Sequence, residues 1–286
     1  SSTVTRDGYH EYSLQGLVDY SRSFGKHDVG GMVVYRINEK DLNTPSTSEN
    51  DILPFREEGV AGRLTYDYDT RYLLEANFGY NGSENFISGK RFGFFPSIAV
   101  GYVISNEAYF KRFKRIFNLL KIRASYALAG NAALPMRFPY LTTVTMGQNT
   151  GFYRGVNFSG TTGPVIDVLG NEDATWEVAR KLNLGLDLGV ADALSLSANY
   201  FHENRTGIFM QRESLPTSVG LAGNVPYANI GRVTNDGVDL TASYTKRLSP
   251  KLGITVRGTF TYAHNEVREK DEPKLLYAYT SVIGHP

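Results

Sequence analysis

The chain has 286 residues, with 30 Lys and Arg against 29 Asp and Glu, and a formal net charge of +1. That balance supplies no global field for nucleic acid, and the absence of cysteine excludes disulfide scaffolds, thiolate metal sites and cysteine nucleophiles. Mean hydropathy is negative, and no apolar run approaches the roughly 18 residues of a membrane-crossing helix. Membrane-crossing β-strands stay open, because each carries only a weak hydropathy signal.

The first predicted element alternates Tyr12, Leu14, Gly16, Val18 and Tyr20 with Glu11, Ser13, Gln15 and Asp19. Strict period-two alternation places one set on one face of an extended strand. A short turn at Phe24-Gly25-Lys26 leads to Val29, Gly31, Val33, Tyr35 and Ile37, alternating with residues such as Arg36. After the polar stretch 39–59, a second hairpin pairs Gly62, Leu64, Tyr66 and Tyr68 with Tyr72, Leu74, Ala76, Phe78 and Tyr80, across a tight Asp69-Thr70 turn. A Gly/Ser/Asn loop, 81–92, comes next.

The third pair is Ile98, Val100, Tyr102 and Ile104, then Leu120, Ile122, Ala124, Tyr126 and Leu128. Between them Ser105 is placed to cap a short helix with Phe110, Phe113 and Phe117 as its apolar stripe, ringed by Lys111, Arg112, Lys114 and Arg115. A packed connector is the preferred reading of that segment, with a basic amphipathic turn at a membrane surface as its rival. Residues 130–180 read as a long loop rich in Gly, Thr, Asn and aromatics. Leu182, Leu184, Leu186, Leu188 and Val190, then Leu194, Leu196, Ala198 and Tyr200, form a hairpin around Ala191-Asp192-Ala193. Another long loop, 203–236, precedes the last pair: Val238, Leu240, Ala242 and Tyr244, with Ile254, Val256, Gly258, Phe260 and Tyr262.

Alternation alone also suits a soluble sandwich. Three further features favour an antiparallel transmembrane β-barrel. Strands of nine or more residues match a tilted bilayer span, against about 5–6 in a typical soluble strand. Connections alternate between short and long, as periplasmic turns and extracellular loops do. The apolar face of the ten predicted strands carries no Lys, Arg, Asp or Glu, and a basic residue at the bilayer midplane costs about 2–4 kcal/mol. Asp19, Arg36, Arg63, Glu75, Lys121, Arg123, Asp187, Asp239 and Arg257 then line a wet lumen. Two tyrosine girdles follow, Tyr66, Tyr68, Tyr72 and Tyr244 near short turns and Tyr80, Tyr126, Tyr200 and Tyr262 toward the long loops.

No catalytic constellation is present, so no enzyme is expected and no cofactor. The five histidines lack HxxxH or HExxH spacing, and neither a GxSxG elbow nor a phosphate loop occurs. Asn171-Glu172-Asp173 and Glu49-Asn50-Asp51 read as solvated acidic turns rather than calcium sites, since an oxygen cage needs six or more ligands. Candidate substrate contacts are the loop aromatics Phe138, Tyr140, Phe152, Tyr153 and Trp176, whose faces suit sugar rings or apolar peptide side chains. The lumen cations Arg123 and Arg257 complete the set. Packing of the loop on itself or against a lid protein is the competing account of the aromatics, and pairing with a plug domain that of the cations.

GKRFGFFPSIAVGYVISNEAYF (Gly89–Phe110), LLKIRASYALAGN (Leu119–Asn131), WEVARKLNLGLDLGV, LSLSANYFHENRTGIF and NIGRVTNDGVDLTASY, in that order, resemble the C-terminal barrel of the SusC/RagA family of TonB-dependent outer-membrane transporters. The resemblance covers about Tyr9 to Val267. It implies that residues 1–286 are a segment of a 22-stranded barrel whose N-terminal plug lies outside this chain. It also implies a Gram-negative, Bacteroidetes-like outer membrane with its lipopolysaccharide, TonB–ExbB–ExbD energy and a SusD-like lipoprotein lid. A glycan or peptide substrate and a dimer of the transporter–lipoprotein pair complete that expectation. The alternative is a passive or protein-docking barrel within an envelope complex.

Overall fold

Period-two alternation is realised as ten of the twelve antiparallel strands in a computed structural model that describes residues 8–42, 53–154, 156, 159–219, 224–249 and 251–286. Ten form one sheet: β1 (Tyr9–Phe24), β2 (His27–Leu42), β3 (Phe55–Tyr68), β4 (Tyr72–Ser83), β5 (Phe92–Val103) and β6 (Phe117–Asn131), followed by β9 (Glu177–Val190), β10 (Leu194–Gln211), β11 (Tyr227–Ser249) and β12 (Leu252–Glu269). β7 (Thr143–Arg154) and β8 (Ser159–Val168) make a separate hairpin in the connection that reads as loop from sequence. Each strand of the main sheet pairs with its chain neighbour, except that β6 pairs with β9 past the small hairpin.

The strands are longer than the alternating stretches, reaching 23 residues in β11. The outer series of β12, Ile254 to Tyr262, covers nine residues; at about 3.3 Å per residue and a 40° tilt it spans roughly 23 Å, close to the ≈25 Å apolar band of an outer-membrane barrel. Past that band the same face turns polar. His202 meets Asp236 at 2.5 Å, and Glu266 and Arg268 continue the outer series of β12. The charge-free face thus ends where the strands leave the lipid. Within the band Leu64, Val100, Leu186, Leu240 and Phe260 are each at least 40% exposed, as a lipid-facing row requires.

On the short-turn rim, Asp69 and Thr70 have φ of 55° and 52°, and Ala191 and Asp192 have 51° and 53°. Two successive positive φ values are the type I′ pattern, which matches the right-handed twist of the flanking strands, and a third residue completes each loop, 69–71 and 191–193. Backbone bonds stitch these turns together: Asp69 N to Lys26 O at 2.7 Å, Val103 N to Arg71 O at 2.8 Å, Ala191 N to Ile116 O at 2.7 Å and Thr245 N to Ala193 O at 2.8 Å. The expected helix after β5 is instead two 3₁₀ turns, Ile104–Asn106 and Ala108–Arg112. Glu107 between them is extended (φ −73°, ψ 148°) because its carboxylate reaches back to Arg71 and Tyr72. Ser105 is buried and caps nothing, and Phe117 begins β6 rather than extending a helical stripe.

The compact apolar cluster lies in the loop layer, not within the wall. Phe86, Ala174 and Phe209 are buried there, with Ala132, Leu134, Trp176 and Tyr227 packed against them. Four long-side connections and strand ends contribute to it, so each depends on the others for burial.

Candidate functional site

The inner face of the wall is built from ladders of polar side chains. Arg123 on β6 lies opposite Gly185 on β9. A Cβ at Gly185 would stand 2.8 Å from the Arg123 Cγ and Cζ, so only glycine leaves the guanidinium room to lie flat across the strand. From there Arg123 donates to Asp187 through Nε at 2.9 Å and Nη2 at 3.2 Å, and to Asn199 on β10 at 2.7 Å. Ser197 donates to Asp187 at 2.8 Å. A second ladder crosses β3 to β5: Arg63 donates to Asn77 at 3.0 Å, and Asn77 to Glu75 at 2.8 Å and Ser97 at 3.3 Å. Charge-assisted bonds of this kind hold long side chains against the wall.

Above these ladders β5 and β6 part. Their pairing runs only from Ser97–Ala127 to Val103–Lys121 and stops beside Pro96, which has no N–H to extend a ladder. Phe95 fills the slot. A Cβ at Gly130 would come within 1.9 Å of its ring and one at Gly93 within 2.3 Å. Trp176 packs edge-on against Phe95 at 5.2 Å and at a tilt against Phe86 at 5.3 Å. Below and beside Trp176 opens a cavity of about 560 Å³, lined by Arg36, Asn38, Glu57, Asn81, Asn85 and Asn131 among others. Amide and charged groups there offer both donors and acceptors beside one large aromatic edge.

The seven candidate contacts do not share one place. Trp176 borders the lumenal cavity. Phe138 is 7% exposed with φ of 48°, and it and Tyr140 line a different hollow of about 420 Å³, with Ile37, Arg56, Glu58 and Phe92 of the outer series. Arg137 pins that segment by donating to Leu53 O at 2.7 Å and Pro54 O at 3.0 Å, pairing with Glu84, and lying 3.7 Å over the Phe55 ring. Phe152 and Tyr153 belong to the β7–β8 hairpin by backbone pairing, and their side chains lie outside the described residues. Arg123 is held in its ladder. Arg257, on β12, lies opposite Ser243 of β11, is exposed, and makes no ion pair among the described residues.

The amide ring of Asn38, Asn81, Asn85 and Asn131 was missed by motif reading. Inner-face parity marks Asn38, Asn81 and Asn131, but nothing in sequence brings them around Trp176. The acidic turn 171–173 finds its partners in other segments: Asp173 pairs with Lys90 at 2.7 Å, which holds its carboxyl below the usual range, and Asn171 donates to Tyr227 O. Residues 49–51 lie outside the described set. Among the described residues no group of three or more metal-ligating side chains occurs.

The family model described as TonB-dependent receptor-like, β-barrel, matches residues 1–282. TonB-dependent receptor P39 of Formosa agariphila is 29% identical over 262 residues, 91% of this chain and 23% of that protein. TonB-dependent receptor SusC of Bacteroides thetaiotaomicron is 25% identical over 207 residues, 72% of this chain and 20% of that protein. This chain therefore spans about a fifth to a quarter of the length of the curated relatives it matches. Among solved structures, the RagAB peptide importer in its closed-closed state superposes with a TM-score of 0.73 at 20% identity, over 98% of this chain and 33% of that one. The siderophore receptor PirA of Pseudomonas aeruginosa gives 0.61 at 14% identity, over 93% and 44%. At those identities the likeness is one of fold.

Proposed function

This chain belongs to the TonB-dependent receptor-like β-barrel family, and on that footing we propose that it supplies wall and outer mouth to an active importer of glycans or peptides. The protein sits in the outer membrane of a Gram-negative bacterium of the Bacteroidetes type, with short turns toward the periplasm. TonB with ExbB and ExbD drives it, and a SusD-like surface lipoprotein closes over the loop layer. Two such pairs assemble as a dimer. The lid is what the resemblance to the SusC/RagA barrels implies, and among the structural neighbours is the RagAB peptide importer.

One observation carries the substrate reading: the cavity under Trp176 opens on the lumen side and is lined by four side-chain amides beside the Arg36 cation and the Glu57 carboxylate. Asparagine amides donate and accept at once, which suits sugar hydroxyls or peptide groups and suits a densely charged ion poorly. Trp176 is the first contact, Arg257 a further lumenal one, and Arg123 acts by shaping the wall. Phe138 and Tyr140, on the hollow at the outer side, serve the lid rather than the solute, and Phe152 and Tyr153 extend the hairpin toward it.

Deletion of the full gene, followed by growth on a panel of glycans and peptides, tests the proposal. Loss of growth on one class, restored by the gene only in a tonB⁺ background, is the expected result. Unchanged uptake of every substrate refutes import, and restoration without TonB identifies a passive barrel instead.

A further inference from the structure

The connection between β5 and β6, residues 104–116, is longer than the other connections on the short-turn rim. Its contacts place it against the outer surface of the wall. Tyr72 and Tyr102 are paired across β4 and β5, belong to the lipid-facing series, and stack at 5.1 Å. Glu107, 8% exposed, accepts from Tyr72 at 2.8 Å and Tyr102 at 3.3 Å and pairs with Arg71 at 2.9 Å. The Tyr109 hydroxyl lies 2.9 Å from that of Tyr102. Asn106 donates to Thr70 O at 2.9 Å and so ties the segment to the neighbouring turn. Girdle tyrosines of the wall therefore hold the connection at the level where lipid meets water.

The exposed side of this connection is both greasy and basic. Phe110 is turned in, whereas Tyr109, Phe113 and Ile116 are 66%, 52% and 55% exposed. Lys111, Arg112, Lys114 and Arg115 lie among them, all exposed and without an ion pair among the described residues. The nearby acids are engaged elsewhere: Glu107 by Arg71, Asp69 by Lys26 and Arg71, Asp192 by Asn118. Water is a poor neighbour for three large apolar side chains, and four unpaired cations call for an anionic surface.

We propose that residues 104–116 form an interfacial foot seated on the periplasmic leaflet, with Tyr109, Phe113 and Ile116 at the acyl boundary and the four cations on anionic phospholipid headgroups. The foot rests on the wall spanning a bilayer with its short turns toward the periplasm. It asks nothing of the transported solute.

The test uses the full-length protein in nanodiscs of phosphatidylethanolamine and phosphatidylglycerol, with retained lipid read by native mass spectrometry. The comparison is a variant carrying K111Q, R112Q, K114Q and R115Q, which keeps the Glu107 anchorage. Each cation near an anionic surface is worth about fivefold in affinity. Retained phosphatidylglycerol is expected to fall at least tenfold, with phosphatidylethanolamine unchanged. A heat-modifiable band in gels reports whether each barrel is folded in the bilayer. Equal phosphatidylglycerol retention by two folded barrels overturns the foot and leaves the importer untouched; failure of the unaltered protein to insert overturns both. Should the quadruple variant not fold, R112Q and R115Q singly are each expected to lose about fivefold, and unaltered retention in both overturns the foot. A periplasmic protein captured by a crosslinker at Phe113 in cells, with lipid retention equal, overturns it as well.

Discussion

Gly130 and Gly185 do opposite work with the same missing side chain. At Gly185 the vacancy admits a guanidinium, and at Gly130 it admits a phenyl ring. Gly130→Ala drives a methyl into the space of Phe95, with its Cβ 1.9 Å from the ring, and overpacking of this kind costs about 1–3 kcal/mol. Urea unfolding in detergent is expected to show that loss, and Phe95→Leu added to Gly130→Ala is expected to recover most of it, because the two changes share one space. Equal loss in the single and double variants would deny the clash. Asp187→Ala removes the anion from Arg123 but leaves the 2.7 Å bond to Asn199. The pair is partly solvated, 40% and 23% exposed, so the expected loss in the same measurement is only about 1 kcal/mol. A larger loss would mean that the lumen here is dry.

At the scale of elements, the connection after β5 shows how a single carboxylate arrests a helix. Glu107 is held ionised, chiefly by the Tyr72 hydroxyl and then by Arg71, so its folded pKa lies below the ordinary carboxylate value. A carboxyl depressed on folding contributes stability above its unfolded pKa and loses it as pH falls through the folded one. Amide protection of residues 104–116, corrected for intrinsic exchange, is therefore expected to hold from pH 7 to pH 5 and to collapse in stronger acid. Glu107→Gln is expected to flatten that dependence. Protection in the unaltered protein that ignores acid would disprove the Glu107 anchor. None of this was readable in sequence, since Glu107 and Tyr72 lie 35 residues apart. The ten wall strands were readable, because one buried-or-lipid face imposes period two on every residue. β7 and β8 were not: their pairing carries three register shifts and no alternation survives them. Trp176 could be picked out as an aromatic in a long loop, but its depth depends on Phe86 and Phe95 from other segments. Phe138 and Tyr140 share its connection and still end up against the outer series.

For the whole molecule, the decisive property is that the two faces of one sheet live in different solvents. Leu240 and Thr241 are adjacent on β11, the first 46% exposed on the outer face and the second pointing inward. Leu240→Lys is expected to cut assembled, heat-modifiable barrel in outer-membrane fractions, at about 2–4 kcal/mol for a midplane cation. Thr241→Lys is expected to leave assembly near normal. A soluble sheet would reverse or erase that contrast, since a lysine is welcome on a water-exposed surface. The same division of solvents bears on transit. Arg123 and Arg63 are already occupied by partners from the wall itself, whereas Asp19, Arg36, Lys121, Asp239 and Arg257 on the same face make no ion pair among the described residues. In the importer proposed above, those bare side chains, and not the paired ladders, are the places where a solute would pause, held strongly enough to enter and weakly enough to leave.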